Sequence, residues 1–418
     1  MNQIKKKVES VKMKLIETIL NKMIKVSKNQ KKFLIMAVES IISMYGRVNY
    51  RSLERQSSCN EKRFRRWFKK KFDFAEFNEI AISETIKIGD EMIAAFDPSF
   101  IEKNGNKTSG GGTYWDGSNS QAKKGLEVSV CSLINVSESE AFTLKAMQTP
   151  SMEEIKSNNE NDTRIDFYLN FALKQLPILK KFTNHFVADG FFSKTKFVNG
   201  IVEGGMHFVG KLRKDANIKI PYSGEKKICR GRPKKFNGKC DIDSLEGFSF
   251  DCKIDDETML YSGKFFNEAF DRNIKVVAEI KRTKKGYSIS LLFSTDLDLC
   301  AQKIYAYYHA RYQIEYIFKD AKQHTGLGDC QAREKNAINF HFNISLLALN
   351  IVKIQHHFNK EELGIEQPFS MISFKATYHN KNMISRFFPK LGLDLSSEKL
   401  SPVYREILDY GTIYSSRI

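Results

Sequence analysis

YHARYQIEYIFKDAKQ, residues 308–323, sets Tyr308, Arg311, Glu315 and Lys322 in the order Tyr-x-x-Arg-x-x-x-Glu-x-x-x-x-x-x-Lys. With Arg311 as origin and about 100° per residue, Lys322 falls near about +20°, Glu315 near about +40° and Tyr308 near about +60°. The spacing predicts one long helix carrying all four on a narrow stripe, with Lys319 beside them near about +80°. A lone carboxylate among cations, with a phenol one turn away, suits a metal ligand offered to a polyanion. By itself Glu315 could equally pair with Arg311 or Lys319 across one turn, worth only about 0.2–0.5 kcal/mol.

Two acids upstream give the stripe its meaning. MIAAF runs into Asp97-Pro98 and NHFVA runs into Asp189-Gly190, so both aspartates are expected where a strand ends. Open α/β sheets place ligands there, although an Asp after a strand is also a common turn former or cap. Hard cations such as Mg²⁺ take oxygen ligands and keep several waters, so few carboxylates suffice. Two such ions about 3.5–4 Å apart serve phosphodiester cleavage. The combination of Asp97, Asp189 and Glu315 therefore points to a nuclease-like centre more strongly than any member alone.

The elements around these acids predict an α/β fold. After MIAAF comes a Gly-rich loop, then LEVSVCSLINV and AFTLKAM as two strands joined by the SESE turn. A helix fits TRIDFYLNFALKQLPILKKF, NHFVA a strand, SKTKFVNGIVE a helix and MHFVGKL a strand. That order resembles the ribonuclease-H-like fold. Residues 91–214 are its expected first part, 215–286 a β-rich insertion, and 287–357 its second part with the Glu315 helix. Ser294–Asp296 reads as the helix-start signal. INFHFNISLLALNIVKI reads as a buried core helix, and residues 358–418 carry no clear signal.

Residues 1–90 read as an all-helical DNA-binding domain. LIETILNKMIKV and FLIMAVESIISMYG have helical apolar spacing. A short helix over Tyr50–Gln56, a turn at Ser57–Asn60 and a basic helix would form a helix-turn-helix-like unit. Between Glu61 and Lys71 seven residues are basic and one is acidic. Phe64, Trp67 and Phe68 supply its apolar face, leaving Arg63 and Arg66 for DNA. A solvated basic surface helix is the plainer reading of the same run. Arg230-Gly231-Arg232-Pro233 matches the core of an AT-hook, whose arginines enter narrow minor grooves; a basic loop touching phosphates fits it equally.

The 418 residues carry a net charge of +18 and a pI near 9.4. Such a balance attracts polyanions, with DNA the expected partner and an anionic membrane surface the bland rival. No run approaches the roughly 20 apolar residues of a membrane span, and the basic N-terminus lacks the apolar core of a signal peptide. The seven scattered cysteines form no CxxC pair. They favour neither a disulfide framework nor a zinc site, which fits a reducing cytoplasm.

With AFDPSF, VADGFF and YHARYQIEYIFKDAK in hand, the chain resembles bacterial insertion-sequence DDE transposases of the insertion-sequence-four family, marked by a Tyr-Arg-Glu-Lys helix. The resemblance spans roughly residues 91–325. It implies Asp97, Asp189 and Glu315 as catalytic ligands of two Mg²⁺ ions, with Mn²⁺ able to substitute. It implies that Tyr308, Arg311, Lys319 and Lys322 hold DNA phosphates, and Ser99 fits beside the first acid. It further implies cut-and-paste transposition, with terminal inverted repeats and target DNA as partners, in a homodimeric complex at the nucleoid. An inactive, transposase-derived DNA-binding regulator is the alternative. One departure stands out: relatives carry a Trp in the insertion that stacks on a flipped base. This chain has only Trp67 and Trp115, leaving Tyr261, Phe265, Phe266 or Trp115 as substitutes.

Overall fold

The computed structural model describes residues 15–87, 89–105, 107–222, 224, 234–284, 286–363, 368–392 and 401–413. Arg230 and Arg232, with the AT-hook-like run, lie outside the described residues.

Among the described residues twelve strands form one sheet. Its centre is β1 (Met92–Glu102), paired antiparallel along its whole length with β3 (Gln121–Asn135). On its other side β1 pairs in parallel with β5 (His185–Ala188), but only from Ala94↔Phe186 to Phe96↔Ala188. Beyond β5 lies β6 (His207–Leu212), again parallel, and beyond β3 lies β4 (Glu140–Gln148), antiparallel. The central order is thus β4-β3-β1-β5-β6. The Gly-rich loop is partly a strand, β2 (Gly112–Asp116), which makes a hairpin with the start of β3.

The expectation that Asp97 ends its strand is corrected. β1 continues to Glu102 because β3 still pairs with it. What ends at Phe96 is the β5 partner, so the run no longer has to be apolar on both edges. Pro98, which lacks an N–H, follows where that edge opens.

Residues 215–286 are β-rich: β7 (Ile218–Pro221), β8 (Phe236–Lys239), β9 (Ser249–Lys253), β10 (Thr258–Asn267) and β11 (Arg272–Thr283). The following β12 (Gly286–Ser294) pairs with both β11 and β6, so these strands continue the central sheet rather than standing apart from it.

Helices cover both faces. α6 (Met152–Asn158) leads into α7 (Arg164–Leu179), and α8 (Thr195–Glu203) follows β5. Phe96 points to their face, with its ring 5.6 Å from Tyr168, 6.3 Å from Phe171 and 5.9 Å from Phe197. Alternation along β1 sends Asp97 to the opposite face. There lie α9 (Ala301–Ala310), α10 (Gln313–Asp320) and α11 (Lys335–Leu363).

The predicted single long helix is corrected too. α9 stops at Ala310; Tyr312, Ile314 and Glu315 bond to carbonyls three residues back, and α10 then gives way to a π turn at Ala321–Thr325. The Ser294–Asp296 signal forms local turns, with Asp296 N–H bonded to Ser294 Oγ at 3.0 Å, and α9 begins only at Ala301.

The N-terminal residues are helical throughout their described part: α1 (residues 15–22), α2 (Lys28–Ser43), α3 (Tyr50–Gln56), α4 (Glu61–Phe68) and α5 (Phe74–Ser83). Asn49 and Asn60 cap α3 and α4 by accepting from Ser52 N–H at 3.0 Å and Arg63 N–H at 2.9 Å, as short polar caps do. α4 buries Phe64 and Phe68, stacks Trp67 on Phe33 at 5.3 Å, and leaves Arg63 and Arg66 exposed. α2 packs on α11 and on α12 (Met371–Phe387), and one apolar core runs through all of them.

α11 is, contrary to the expectation from sequence, long and apolar enough to cross a membrane, but 94% of its apolar window is buried inside the protein. A polar stripe on it serves β4. Asn339 Oδ1 accepts from Gln148 N–H at 2.7 Å, Asn343 Oδ1 from Ala146 N–H at 3.0 Å and Asn350 Oδ1 from Thr143 N–H at 3.0 Å. Asn343 and Asn350 also donate to the carbonyls of Ala146 and Thr143, at 2.8 and 2.7 Å, and Lys353 Nζ donates to Ala141 O at 2.8 Å. The helix thereby stands in for the next strand at a sheet edge that would otherwise be left open.

Candidate active site

β1 and β5 part at Phe96↔Ala188. The next residue on each chain is acidic, so Asp97 and Asp189 sit side by side in register where the parallel pair opens. Both are half-buried. The broken helix brings the remaining groups over this edge. Tyr308, near the end of α9, points its hydroxyl at Asp189 Oδ1, 3.4 Å away. Arg311, in the tight junction before α10, contacts Glu315 Oε1 at 3.4 Å.

Electrostatics tie the set together. Burial, and the negative charges of Glu315, Asp189 and Glu127, push the Asp97 carboxyl up to about 8, against the pull of the Arg311 guanidinium. Asp97 therefore feels both other candidate acids. Burial and the neighbouring Asp189 also raise the Tyr308 phenol, which stays a proton donor. Arg311 is only 6% exposed and its Nε has no hydrogen-bond partner. Its guanidinium lies 5.8 Å from the Tyr308 ring centre and 5.3 Å from that of Tyr312. It is an internal counter-charge for the acids rather than the exposed phosphate contact that a single helical stripe would make it. Glu315, by contrast, is 44% exposed.

Among the described residues no group of three or more His, Cys, Asp or Glu side chains stands ready to hold a metal ion. The three acids are electrostatic neighbours without being gathered at coordination distance. Their chemistry nevertheless fits a hard divalent cation: carboxylate oxygens only, and an Asp97 whose ionised form is disfavoured by surrounding negative charge.

The other predicted residues spread out. Lys319 is exposed on α10. Lys322, in the π turn, has Asp116 at the tip of the β2–β3 hairpin as its charged neighbour. Arg63 and Arg66 lie on α4, outside this cluster. Of the aromatic substitutes, Phe265 is fully buried, Phe266 lies tilted against Phe236 at 4.8 Å and Tyr261 meets Phe250 edge-on at 5.4 Å, while Trp115 is 61% exposed.

Glu127 was not legible as part of the electrostatics. It is buried on β3, on the far face of the sheet, and accepts a 2.6 Å bond from the Tyr168 hydroxyl. An acid inside the apolar run LEVSVCSL was the available signal.

Residues 147–351, just under half of the chain, match the family model described as the transposase DDE domain. The match supports a DDE transposase family for this chain. It thereby supports transposase function, a nuclease and transferase type of enzyme, and DNA as partner. No curated protein matches. The matched span holds Asp189, the β-rich strands and the whole Glu315 region. Asp97 lies before it, so its place beside Asp189 rests on strand register.

The Asp97 environment gives a pH expectation. In the folded chain the carboxyl stays protonated up to about 8, whereas an unfolded Asp releases its proton near about 3.9. Folding thus takes up a proton between these values, and without divalent cations stability falls as pH rises from about 4 to about 8. Asp97→Asn, which cannot ionise, removes that part of the loss. Thermal midpoints against pH in chelator check this; parallel profiles for the two proteins would count against it.

Proposed function

We propose that this chain is a cut-and-paste transposase of the Tyr-Arg-Glu-Lys group in the insertion-sequence-four family. It cleaves the ends of its own element and joins them to target DNA by phosphoryl transfer. We also infer a ribonuclease-H-like core, for which the order β4-β3-β1-β5-β6, antiparallel then parallel, is the support. The observation that carries the function is the meeting of Asp97 and Asp189, in register at an opening strand pair, with Glu315 and Arg311 of the overlying helix.

Divalent cations, Mg²⁺ or Mn²⁺, held by Asp97, Asp189 and Glu315 would neutralise charge at the scissile phosphodiester. Tyr308 orients the Asp189 carboxylate by donating to it. Arg311 balances the acids from within and holds Glu315 by one long contact, which leaves that exposed carboxylate able to turn. Lys319 and Lys322, on the outer side of the same region, are suited to flanking phosphates. The part played by the chain is positioning and preorganised charge. Retention of all three acids favours an active enzyme over a regulator that only binds DNA. A cytoplasmic setting at the nucleoid, a homodimer holding two DNA ends, and phosphate contacts by Arg63 and Arg66 belong to the same proposal.

The test is incubation of the full chain with duplexes from the DNA flanking its reading frame, with Mg²⁺, Mn²⁺ or chelator. Cation-dependent nicking at the boundary of an inverted repeat is the expected result. Binding without nicking under every cation would favour the regulator.

A further inference from the structure

A basic cleft lies between α4 and the far end of β1. Its volume is about 680 Å³, and Arg65, Lys69, Lys103, Lys107 and Arg333 line it together with one acid, Glu334. Lys69 pairs with Glu334 at 2.5 Å. Arg65 spreads over the Tyr50 ring at 4.9 Å, and Lys103 donates to the Cys330 carbonyl. Lys107 and Arg333 are exposed, with no ion pair among the described residues. The walls are fixed rather than floppy: Ser109 N–H bonds to Arg333 O at 2.9 Å, Gln148 Nε2 donates to Ser109 O at 2.5 Å, and Tyr114 Oη donates to Gly110 O at 2.8 Å. Arg65 and Lys69 also line a shallower recess with Arg66 and Lys70, so the positive surface continues along α4.

We infer that this cleft, formed jointly by α4, residues 103–105 and 107–108, and the segment 331–334, seats the sugar-phosphate backbone of duplex DNA a fixed distance from the acids. The inference rests on the DNA-cleaving reading above and names the surface that would measure out the bound duplex. Three features argue for it. Five cations line a groove open to solvent; Arg65 and Lys69 are partnered by Glu61 and Glu334, while Lys107 and Arg333 have no ion pair among the described residues, and a spread of cations along one groove suits a repeating anion more than a small one. The cationic heads stand on three separate segments: the backbone bond from Ser109 N–H to Arg333 O joins the two loops, and the Lys69–Glu334 ion pair ties α4 to them, so their relative placement is set before a ligand arrives. And β1 joins cleft to site: Lys103 lies six residues beyond Asp97, about 20 Å at the rise of a strand. Duplex DNA running along β1 advances about six base pairs over that length.

The test uses the full chain and a duplex from the DNA flanking its reading frame. Lys107→Ala/Arg333→Ala should make the slope of log affinity against log salt shallower by about 1.8, two phosphate contacts at about 0.9 each. Hydroxyl-radical footprints should lose protection on one backbone about six base pairs from the cleaved phosphate. Glu334→Gln, which removes the acid lining the cleft, should bind the same duplex more tightly than the wild type. If wild type and double variant bind with one slope and one footprint, the cleft is overturned and the cleavage reading stands. A wild type that binds no duplex overturns both.

Discussion

Asp97→Asn is expected to lower cation-dependent cutting of end DNA by more than about 100-fold, since even groups one shell out from a metal cost 10–100-fold. Affinity for the same duplex should stay within about threefold, the range of a change that disturbs no packing. The separation is built into the strand. Asp97 is a mid-strand residue whose backbone pairs with Val130, and Asn keeps its shape, so the ladder survives. What disappears is one anionic oxygen at the point where β1 and β5 part. The amide also removes a carboxyl that is crowded by Glu315 and Asp189, so in chelator at alkaline pH the variant should melt no lower than the wild type. A protein at least as stable and equally able to bind DNA, yet unable to cut it, is hard to explain by misfolding. Glu315→Gln should give the same loss of cutting by removing the most exposed of the three acids. Wild-type cutting rates in Asp97→Asn would take Asp97 out of the centre, and with it the significance of its register with Asp189.

Some of this centre could be read from the chain and some could not, for identifiable reasons. Asp189 follows a short apolar run closed by Gly190, and both the strand and its end were visible. Asp97 was visible as a candidate but misplaced: an apolar run reports burial, and burial on both edges stops at Phe96 while pairing with β3 goes on to Glu102. The Tyr308–Lys322 stretch kept its helical content, yet periodicity does not distinguish bonds to the third residue back from bonds to the fourth. The tightening at Arg311–Tyr312 turned an expected phosphate contact into a buried counter-charge. α3 and α4 matched closely because their signals are local, a four-residue turn followed by a basic run with an apolar face. The contact between α4 and the 331–334 segment was out of reach, since nothing local encodes a docking across some 265 residues, the separation of Lys69 from Glu334.

The same limit hid the polar stripe of α11, which carries the second large expectation: Asn343→Ala should cost about 2–6 kcal/mol. INFHFNISLLALNIVKI reads as core, and its asparagines look like interruptions. In the fold, Asn339, Asn343, Asn350 and Lys353 fall on one face, and their spacing suits a strand running the other way. From Asn339 to Lys353 the helix climbs about 21 Å, and from Gln148 to Ala141 β4 spans about 23 Å. Asn343 is 3% exposed and holds both the N–H and the carbonyl of Ala146. Truncation strands both backbone groups away from water, at about 1–3 kcal/mol each. That is a large part of the 5–15 kcal/mol typical of a folded domain. Asn343→Asp should be damaging as well, because a carboxylate still accepts from the N–H but faces the carbonyl with a second acceptor. Asn336→Ala, exposed on the first turn of the same helix, should stay within about 0.5 kcal/mol and separates loss of the ladder from loss of helix. Urea unfolding of the three variants decides the matter. An Asn343→Ala midpoint equal to that of the wild type would mean that β4 closes its edge without the helix.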